Sequence, residues 1–418
     1  MWRNWRSSDG ESEGQGDMRK RSEALIRKAI EVPSQTKSQE TLFDLPPDWR
    51  QHWWGMPEFT LENASPQHQV IISFLTYQDV KEFARVTGLQ LTDKSKSAWF
   101  PTRKRLEAGK YFYDGPKQNS KYPICIPSKG RASLQTTGRQ LDLLGVSHLF
   151  FVEDCEYEQY VQALGSQRVV KMPFSNLGQG SIPARNFIWD WARRNGHARH
   201  WCLDDNIEHF CRDNLNRKLL VRGGAFFRAM EDFVDRFTNV RLAGPNSRQF
   251  GGDSTSSQRP AFILNSRVYS CILIDTSMDL RWRGRYNEDT DLSLRVLKMG
   301  DCTVLFNAMR IHKASTVGAK DAKPMPGGNT DNVYNTGDFR RAFAESLRDQ
   351  HPDVVSVVWK FNRWHHQVDY SPFKRNALIY RSGIVKRADG NDYGMRLTEA
   401  LEDSSSESLE SMSEGDIA

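Results

Sequence analysis

The sequence lacks the features that mark a secreted, disulfide-bonded or membrane-spanning protein. Its six cysteines include no CxxC pair, and most of them stand in apolar runs. This pattern favours a reducing compartment over a disulfide framework or a zinc site. The N-terminus has no apolar segment typical of a secretory signal, and no uninterrupted apolar run reaches the roughly 18 residues that a membrane span needs. We therefore expect a cytoplasmic protein with no membrane partner.

Apolar residues are also scarce at both ends of the chain. Residues 1–40 are too polar for burial to offset the entropy of folding, so we predict a disordered tail there. The segment from Leu397 to Ala418 holds seven acidic residues and no lysine or arginine, which predicts an acidic disordered tail over residues 391–418. The formal net charge is +6, and removing those seven negative charges leaves about +13 on the remainder. This balance fits a polyanionic partner or simply good solubility, and charge alone leaves both open.

A small α/β domain is predicted over residues 41–101. Strand-like Gln69 to Leu75 precedes a helix that a capping box of Thr76 and Asp79 opens and Gly88 ends. The stretch HWWGMPEF before it suits the core of this domain or a base-stacking platform. Residues 102–120, which begin TRKRLEAGK, have the composition of a basic linker.

A second domain is predicted over residues 121–390. Strand-like runs such as YPICIPS, HLFFVED, RVVKMP and HWCLDDNI alternate with helical runs such as PARNFIWDWARRNG. This alternation predicts an α/β fold with a mostly parallel sheet, whose ligands gather at the carboxyl ends of the strands.

Acidic residues cluster at two places in this second domain. Asp204, Asp205 and Asn206 directly follow a strand-like run, and their oxygens suit Mg²⁺ or Mn²⁺ held together with a substrate's phosphates. The same residues are also common in a turn or a helix cap. Glu288, Asp289 and Asp291 stand within YNEDTDLSLRVLKMG. Like charges this close are unfavourable unless they cap a helix, hold a cation or share a proton.

Arginines and aromatic residues alternate just before the second acidic cluster, in RWRGRY, and a similar mixture returns in NRWHHQVDY. Arginines bind phosphates and aromatic rings stack on bases, so both stretches suit a nucleic-acid acceptor. Core packing with a solvated rim is the alternative. The candidate acceptor-binding residues are Arg281, Trp282, Arg283, Arg285 and Trp364.

Five motifs occur in the order seen in inverting glycosyltransferases of the GT-A fold: IPSKGRA, VED, GSIPARN, LDDN and NEDTDLSLRVLKMG. This resemblance covers Tyr122 to His312. With ARNFIWDW and the later stretch NRWHHQVDY added, the chain resembles more narrowly the TET-associated glycosyltransferases. These are mainly bacteriophage enzymes linked to oxygenases that make 5-hydroxymethylcytosine in DNA. The small domain ahead of the motifs is similar to a short domain that recurs in phage proteins.

The resemblance implies a GT-A, Rossmann-like domain that moves a sugar from a UDP-sugar donor to 5-hydroxymethylcytosine in DNA, with inversion and with Mn²⁺ or Mg²⁺. A TET-type oxygenase would act upstream, in the cytoplasm of an infected host cell. By the same resemblance, Asp289 is the general base, Glu288 lies beside it, and Asp291 caps their helix. The implied metal ligands are Asp205, Asn206 and His312, although Asn206 departs from the family's final aspartate. The implied nucleotide-sugar contacts are Pro127, Ser128, Arg131, Asp154, Arg185, Asn186 and Asp204.

Three other functions stay open at the level of sequence. The domain could transfer sugar to a protein or a glycan, although the basic and aromatic acceptor flank favours DNA. It could be a DNA-binding protein with a degenerate glycosyltransferase domain, although the acidic residues are intact. A metal nuclease would leave ARN and VED without a role.

Overall fold

The structure is a computed structural model that describes residues 48–61, 66, 68–101, 110–248, 259–314, 339–386 and 390–400. The chain divides into two compact units, Met1–Asp48 and Trp49–Ala418, and every element below belongs to the second. The predicted disordered tail over 1–40, residues 102–109 of the predicted linker and residues 401–418 of the predicted acidic tail lie outside the described residues.

The helices of the described residues are α1 (Tyr77–Thr87), α2 (Thr136–Leu144), α3 (Tyr157–Leu164), α4 (Ile182–Arg194), α5 (Ala225–Val234), α6 (Glu288–Lys298) and α7 (Phe339–Gln350). The strands are β1 (Tyr111–Asp114), β2 (Ile124–Pro127), β3 (Leu149–Glu153), β4 (Val169–Met172), β5 (Arg199–Leu203), β6 (Ile207–Asn214), β7 (Arg217–Arg222), β8 (Val240–Ser247), β9 (Phe262–Leu264), β10 (Cys271–Asp275), β11 (Cys302–Lys313), β12 (Val355–Lys360), β13 (Arg363–Val368) and β14 (Arg396–Glu399).

One large sheet organises this unit. Its strand order is β14-β1-β7-β6-β11-β8-β10-β5-β2-β3-β4, and β9 pairs with β11. The four strands β5, β2, β3 and β4 run parallel to one another, as the alternation of strand and helix predicts. The other half mixes parallel pairs, such as β8 with β11, and antiparallel pairs, such as β6 with β11. The predicted α/β class is confirmed, and the parallel half is the part that resembles a GT-A nucleotide-binding sheet.

Helices cover both faces of the sheet. Successive side chains of a strand point to opposite faces, and in β3 Phe150 joins one core cluster while Phe151 joins the other. Helices α2, α3 and α5 contribute to the first cluster, and helices α4 and α6 contribute to the second. Because both faces are covered, strands such as β10, CILID, are apolar along their length rather than alternating.

The N-terminal segment differs from the predicted small domain. Helix α1 forms as predicted, with the Thr76–Asp79 capping box and with Gly88 in the left-handed region at its end. The predicted strand from Gln69 to Leu75 is absent from the described residues, and Leu75 is 98% exposed. Trp53, just upstream, instead packs into the main core, where its ring lies 6.0 Å from that of Phe262. The aromatic stretch therefore packs into the main core, whose other residues come from distant parts of the sequence.

Both predicted boundaries of the second domain also shift. Within the predicted linker, β1 pairs in parallel with β7, and within the predicted acidic tail, β14 pairs antiparallel with β1. Tyr113 of β1 is buried, and the guanidinium of Arg212 lies 4.3 Å from its ring centroid. A four-residue strand flanked by charged and polar residues has too little periodic pattern to stand out in a sequence.

Candidate active site

Several of the predicted site residues lie close together where strands β2 and β5 end. The loops after β2 and β5 carry Ser128 to Arg131 and Asp204 to Asn206, and the start of α6 carries Glu288 and Asp289. Thr137 at the start of α2 fixes the aspartate turn, because its Oγ1 donates to the Asp204 carbonyl at 2.7 Å and accepts from the Ile207 N–H at 2.8 Å. The carboxyl edge of a parallel sheet is the usual place for a ligand in this class of fold.

Asp204 is held between two cations. Its Oδ1 lies 3.0 Å from Arg185 Nη2, and its Oδ2 lies 3.0 Å from Lys313 Nζ. Burial alone would raise the pKa of Asp204, but Lys313 and Arg185 together lower it below its usual value. Asp204 is therefore ionised at neutral pH.

Asp205 faces a different set of groups. Its Oδ2 accepts a hydrogen bond from Ser128 Oγ at 2.7 Å, and its Oδ1 is paired with Arg131. Ser128 Oγ also lies 2.8 Å from the Tyr160 hydroxyl, which joins helix α3 to the same network. Burial raises the pKa of Asp205, against the opposing effect of Arg131 and Ser128. Asp205 thus ties the loop after β2 to the loop after β5.

Arg185 links the aspartate turn to helix α6. Its Nη2 pairs with Asp204, its Nη1 lies 3.1 Å from Glu288 Oε1, and its guanidinium lies 4.6 Å from the centroid of the Trp282 ring. Burial raises the pKa of Glu288, with Asp289 acting in the same direction and Arg185 against it. Ser181 Oγ also donates to Glu288 Oε1, at 3.2 Å. One buried guanidinium therefore bridges the two acidic clusters.

Asp289 stands next to Glu288 in the first turn of helix α6. It is partly buried, and its Oδ1 accepts from the Thr290 N–H at 2.7 Å. Burial and Asp289 together raise the pKa of Tyr370, so this ring lies within the field of the carboxylate. Burial and Arg267 lower the pKa of His366 to about 4, against the opposing effect of Asp289. A partly buried carboxylate whose field reaches one aromatic and one imidazole ring suits a general base acting on a bound hydroxyl.

Asp291 does not cap the helix, and that prediction is wrong. Helix α6 begins at Glu288 after Asn287, whose φ is 54°, so Asp291 faces inward from the first turn. Its carboxylate is fully buried and accepts from Arg283 at 3.0 Å, from Arg295 at 2.9 Å and from His351 Nε2 at 2.8 Å. Burial would raise the pKa of Asp291, but His351 and the two arginines lower it. Asp291 is the centre of a buried ionic cluster under the site.

Residues 122–322 match the family model described as TET-Associated Glycosyltransferase. The chain contains a TET-associated glycosyltransferase domain. This confirms the family that the ordered motifs predicted, and no curated protein matches the chain. The match does not reach the N-terminal segment, for which the similarity to a phage domain stays a prediction. Among the described residues, no helix is long and apolar enough to cross a membrane.

The glycosyltransferase domain presents Glu153, rather than the predicted Asp154, to the loop after β2. The Asp154 side chain is 57% exposed and pairs with Lys171 at 2.9 Å. The Glu153 side chain is 14% exposed, and its Oε2 accepts from Lys129 Nζ at 2.7 Å. The motif VED offers two adjacent acids, and the position where the strand ends decides which one turns inward. Sequence reasoning missed Glu153 and Lys129 for this reason.

Most of the predicted acceptor-binding residues in the loop before α6 hold other residues of the glycosyltransferase domain in place. Trp282 is only 2% exposed, so it contacts Arg185 and not an acceptor, which corrects its predicted role. Asn186 bonds both backbone groups of Trp282, at 2.9 and 3.0 Å, and therefore positions this loop. Arg283 holds Asp291, and Arg281 pairs with Asp190 at 2.8 Å. Arg285 is exposed beside the ring of Tyr286.

The donor atoms around the glycosyltransferase site do not fit a divalent cation. Asn206 Nδ2 donates to the Ala314 carbonyl at 3.0 Å, and His312 lies beside Glu208 and stacks on His209. The described part of the chain has no group of three or more His, Cys, Asp or Glu side chains placed to hold a metal ion. The predicted ligand set is therefore not assembled, and the two aspartates are each engaged by a protein cation.

Trp364 lies on a hairpin outside the family match. In the pair β12 and β13 it stands opposite Trp359, with ring centroids 5.2 Å apart, and Arg341 of α7 lies 5.1 Å from its ring. Trp359 is 56% exposed. His366, two residues beyond Trp364 on the same face of the strand, is the imidazole within the field of Asp289. His366 near the candidate base and the ring pair of exposed Trp359 and partly buried Trp364 therefore share this face of the hairpin.

Proposed function

We propose that the glycosyltransferase domain moves a sugar from a nucleoside diphosphate to the hydroxyl group of a hydroxymethylated base in DNA, with 5-hydroxymethylcytosine as the expected acceptor. The observation that carries this proposal is the bridge made by Arg185 between Asp204 and Glu288. It joins the sheet edge suited to a nucleotide with the helix that presents Asp289. The general base acts on a hydroxyl that attacks the anomeric carbon of the donor, so the base and the donor must lie close together.

The donor side is formed by the loops after β2, β3 and β5. Ser128 and Arg131 are held by Asp205, Glu153 is held by Lys129, and Asp204 is held by Arg185. These polar groups converge at the carboxyl edge of parallel strands, where nucleotides bind in doubly wound folds. We propose UDP as the nucleotide of the donor on the strength of the family resemblance.

The chemical step that we propose is a single displacement. Asp289 takes the proton of the acceptor hydroxyl, the acceptor oxygen forms a bond to the anomeric carbon, and the bond from that carbon to the diphosphate oxygen breaks. The nucleoside diphosphate leaves with the electron pair of that bond, and the configuration of the sugar inverts. Glu288, held by Arg185 and Ser181, orients the acceptor beside Asp289.

The acceptor side that we propose is the face of the β12–β13 hairpin together with Arg285. Trp359 and Trp364 offer rings for stacking on bases, and Arg341 lies against Trp364. The positive charge of the chain without its acidic tail supports a polyanionic acceptor. An oxygenase of the TET type would supply the hydroxyl group upstream.

The test is a transfer assay read by mass spectrometry of the nucleosides. The full chain is incubated with nucleotide sugars and duplex DNA that carries 5-hydroxymethylcytosine, with unmodified cytosine DNA as the matched control. A hexose or pentose added only to the hydroxymethylated nucleoside supports the proposal. Sugar added to a protein or a glycan but not to DNA would contradict the acceptor. Binding of DNA without any transfer would indicate a degenerate enzyme.

A further inference from the structure

We infer that Lys313, supported by Arg131 and Arg185, neutralises the diphosphate of the donor in the place of a divalent metal ion. This inference rests on the proposed function, because it concerns the same donor site. It begins from the disagreement between the predicted metal ligands and the residues that the structure brings to the aspartate turn.

Lys313 reaches the site because of an irregularity in strand β11. The register of β11 against β6 shifts between His312 and Lys313, and such bulges re-aim side chains. His312 turns towards Glu208 and His209, while Lys313 Nζ lies 3.0 Å from Asp204 Oδ2 and 2.9 Å from Ser270 Oγ. The motif RIHK predicted that His312 contacts the donor site, but the backbone directs the neighbouring Lys313 to it.

The end of β11 is anchored beside the aspartates. Asn206 donates its side-chain amide to the Ala314 carbonyl, and the Ala314 N–H donates to the Asn206 carbonyl, each at 3.0 Å. This pair of bonds fixes the residue after Lys313 to the residue after Asp205. The backbone of Lys313 is therefore fixed beside the aspartates, and its Nζ is held there by Asp204 and Ser270.

The charge pattern disfavours an additional divalent cation. Asp204 is paired with Arg185 and Lys313, and Asp205 is paired with Arg131. A metal ion bound by these carboxylates would have to displace those cations or lie against them, and like charges at this separation repel strongly when buried. A diphosphate, in contrast, brings negative charge to cations that are already in place.

Lys313 keeps a donor for such a ligand. An ammonium group has three N–H donors, and within the described residues two of them are directed to Asp204 and Ser270. The Lys313 side chain is 32% exposed, whereas Arg131 and Arg185 are buried. Of these three cations, Lys313 is thus the one that a phosphate can contact from outside, and the two arginines position the carboxylates around it.

The role of Lys313 in the reaction follows from where charge develops. When the bond between the anomeric carbon and the diphosphate oxygen breaks, the electron pair stays on the diphosphate. A fixed cation at that oxygen stabilises the growing charge without any exchange of ligands. The acceptor proton meanwhile goes to Asp289, so the two charges that the displacement creates are taken up by different groups.

The experiment is calorimetric binding of nucleoside diphosphates to the full chain. UDP, GDP, ADP and CDP are titrated in EDTA and again in MgCl₂ or MnCl₂, and the tightest binder is carried forward with its unphosphorylated nucleoside. We expect its affinity to be the same in EDTA as with metal. We expect Lys313→Ala to weaken diphosphate binding by about tenfold or more, as loss of a charged phosphate contact does, and to leave nucleoside binding unchanged.

Two variants serve as controls. Lys298→Ala removes a surface lysine that pairs with exposed Asp353 and is expected to leave binding unchanged, while Lys313→Arg keeps the charge and is expected to restore part of the affinity. A thermal melt checks that each variant is folded. Diphosphate binding that requires Mg²⁺ or Mn²⁺, or that survives Lys313→Ala intact, would overturn this inference alone. If no diphosphate binds under any condition, the donor assignment of the proposed function falls with it.

Discussion

Arg185 Nη1 lies 3.1 Å from Glu288 Oε1, and this ion pair joins helix α4 to the first turn of helix α6. The same guanidinium pairs with Asp204 through its other terminal nitrogen. One buried side chain therefore bridges the proposed donor half of the site and the helix that carries the proposed base. Its removal should disturb both halves of the site at once.

Arg185→Ala is expected to destabilise the fold by about 3 kcal/mol, because it leaves the partly buried carboxylates of Asp204 and Glu288 without this partner. Urea unfolding measures the loss. Arg194→Ala removes an exposed arginine of the same helix and is the matched control, with an expected change of about 0.5 kcal/mol or less. Equal stability of the two variants would show that the bridge is not structural.

Asp291→Asn should also be costly, by about 3 kcal/mol or more. The amide cannot balance the charges of Arg283 and Arg295, and it leaves His351 with a weaker partner inside the protein. Asp353→Asn, at an exposed ion pair with Lys298, should change the free energy of unfolding by about 1 kcal/mol or less. A small effect at Asp291 would contradict its burial at the centre of an ionic cluster.

Stability should fall in acid, and Asp291 should account for part of the fall. Its pKa in the folded protein lies below the ordinary value of 3.8. Its contribution is therefore complete above that value and is lost as the pH falls from 3.8 through the folded pKa. Urea midpoints measured between about pH 6 and pH 3 should decline more steeply for the parent than for Asp291→Asn. Parallel pH profiles would exclude this residue as a cause.

DNA binding should depend on salt and on the exposed hairpin. Affinity is expected to fall about tenfold or more between about 50 and 200 mM salt if several phosphates are contacted.

Trp359→Ala should weaken binding by about 1 to 3 kcal/mol if its ring stacks on a base. Phe100→Ala removes an exposed aromatic ring outside the hairpin and is the control. Fluorescence anisotropy with hydroxymethylated duplex measures both effects, and a flat salt profile would remove DNA as the acceptor.

The sequence predicts the parallel half of the fold because its strands are apolar, short and separated by helices with clear ends. It misses β1 and β14, since pairing of two short polar-flanked strands depends on partners far along the chain. The stretch HWWGMPEF carries no local sign that Trp53 completes the main core rather than a small domain of its own.

Within the site, motifs locate the right loops but not the direction of each side chain. Asp154 and Glu153 are neighbours, and so are His312 and Lys313, and in each pair the end of a strand or a bulge decides which residue faces the site. The inward turn of Asp291 depends on Arg295 one turn later in the same helix, on Arg283 in the preceding loop and on His351 far along the chain. The pairing with His351 is long-range and leaves no periodic signal in the sequence.

The most direct test of the account is the transfer rate of Asp289→Asn. The amide keeps the shape of the carboxylate and its bond to the Thr290 N–H, but it cannot accept the acceptor's proton. Binding of the nucleoside diphosphate and the melting temperature should stay at the parent values, while sugar transfer to hydroxymethylated DNA should fall by roughly 10² to 10⁴. A folded Asp289→Asn variant that transfers sugar at the parent rate would contradict the assignment of the base.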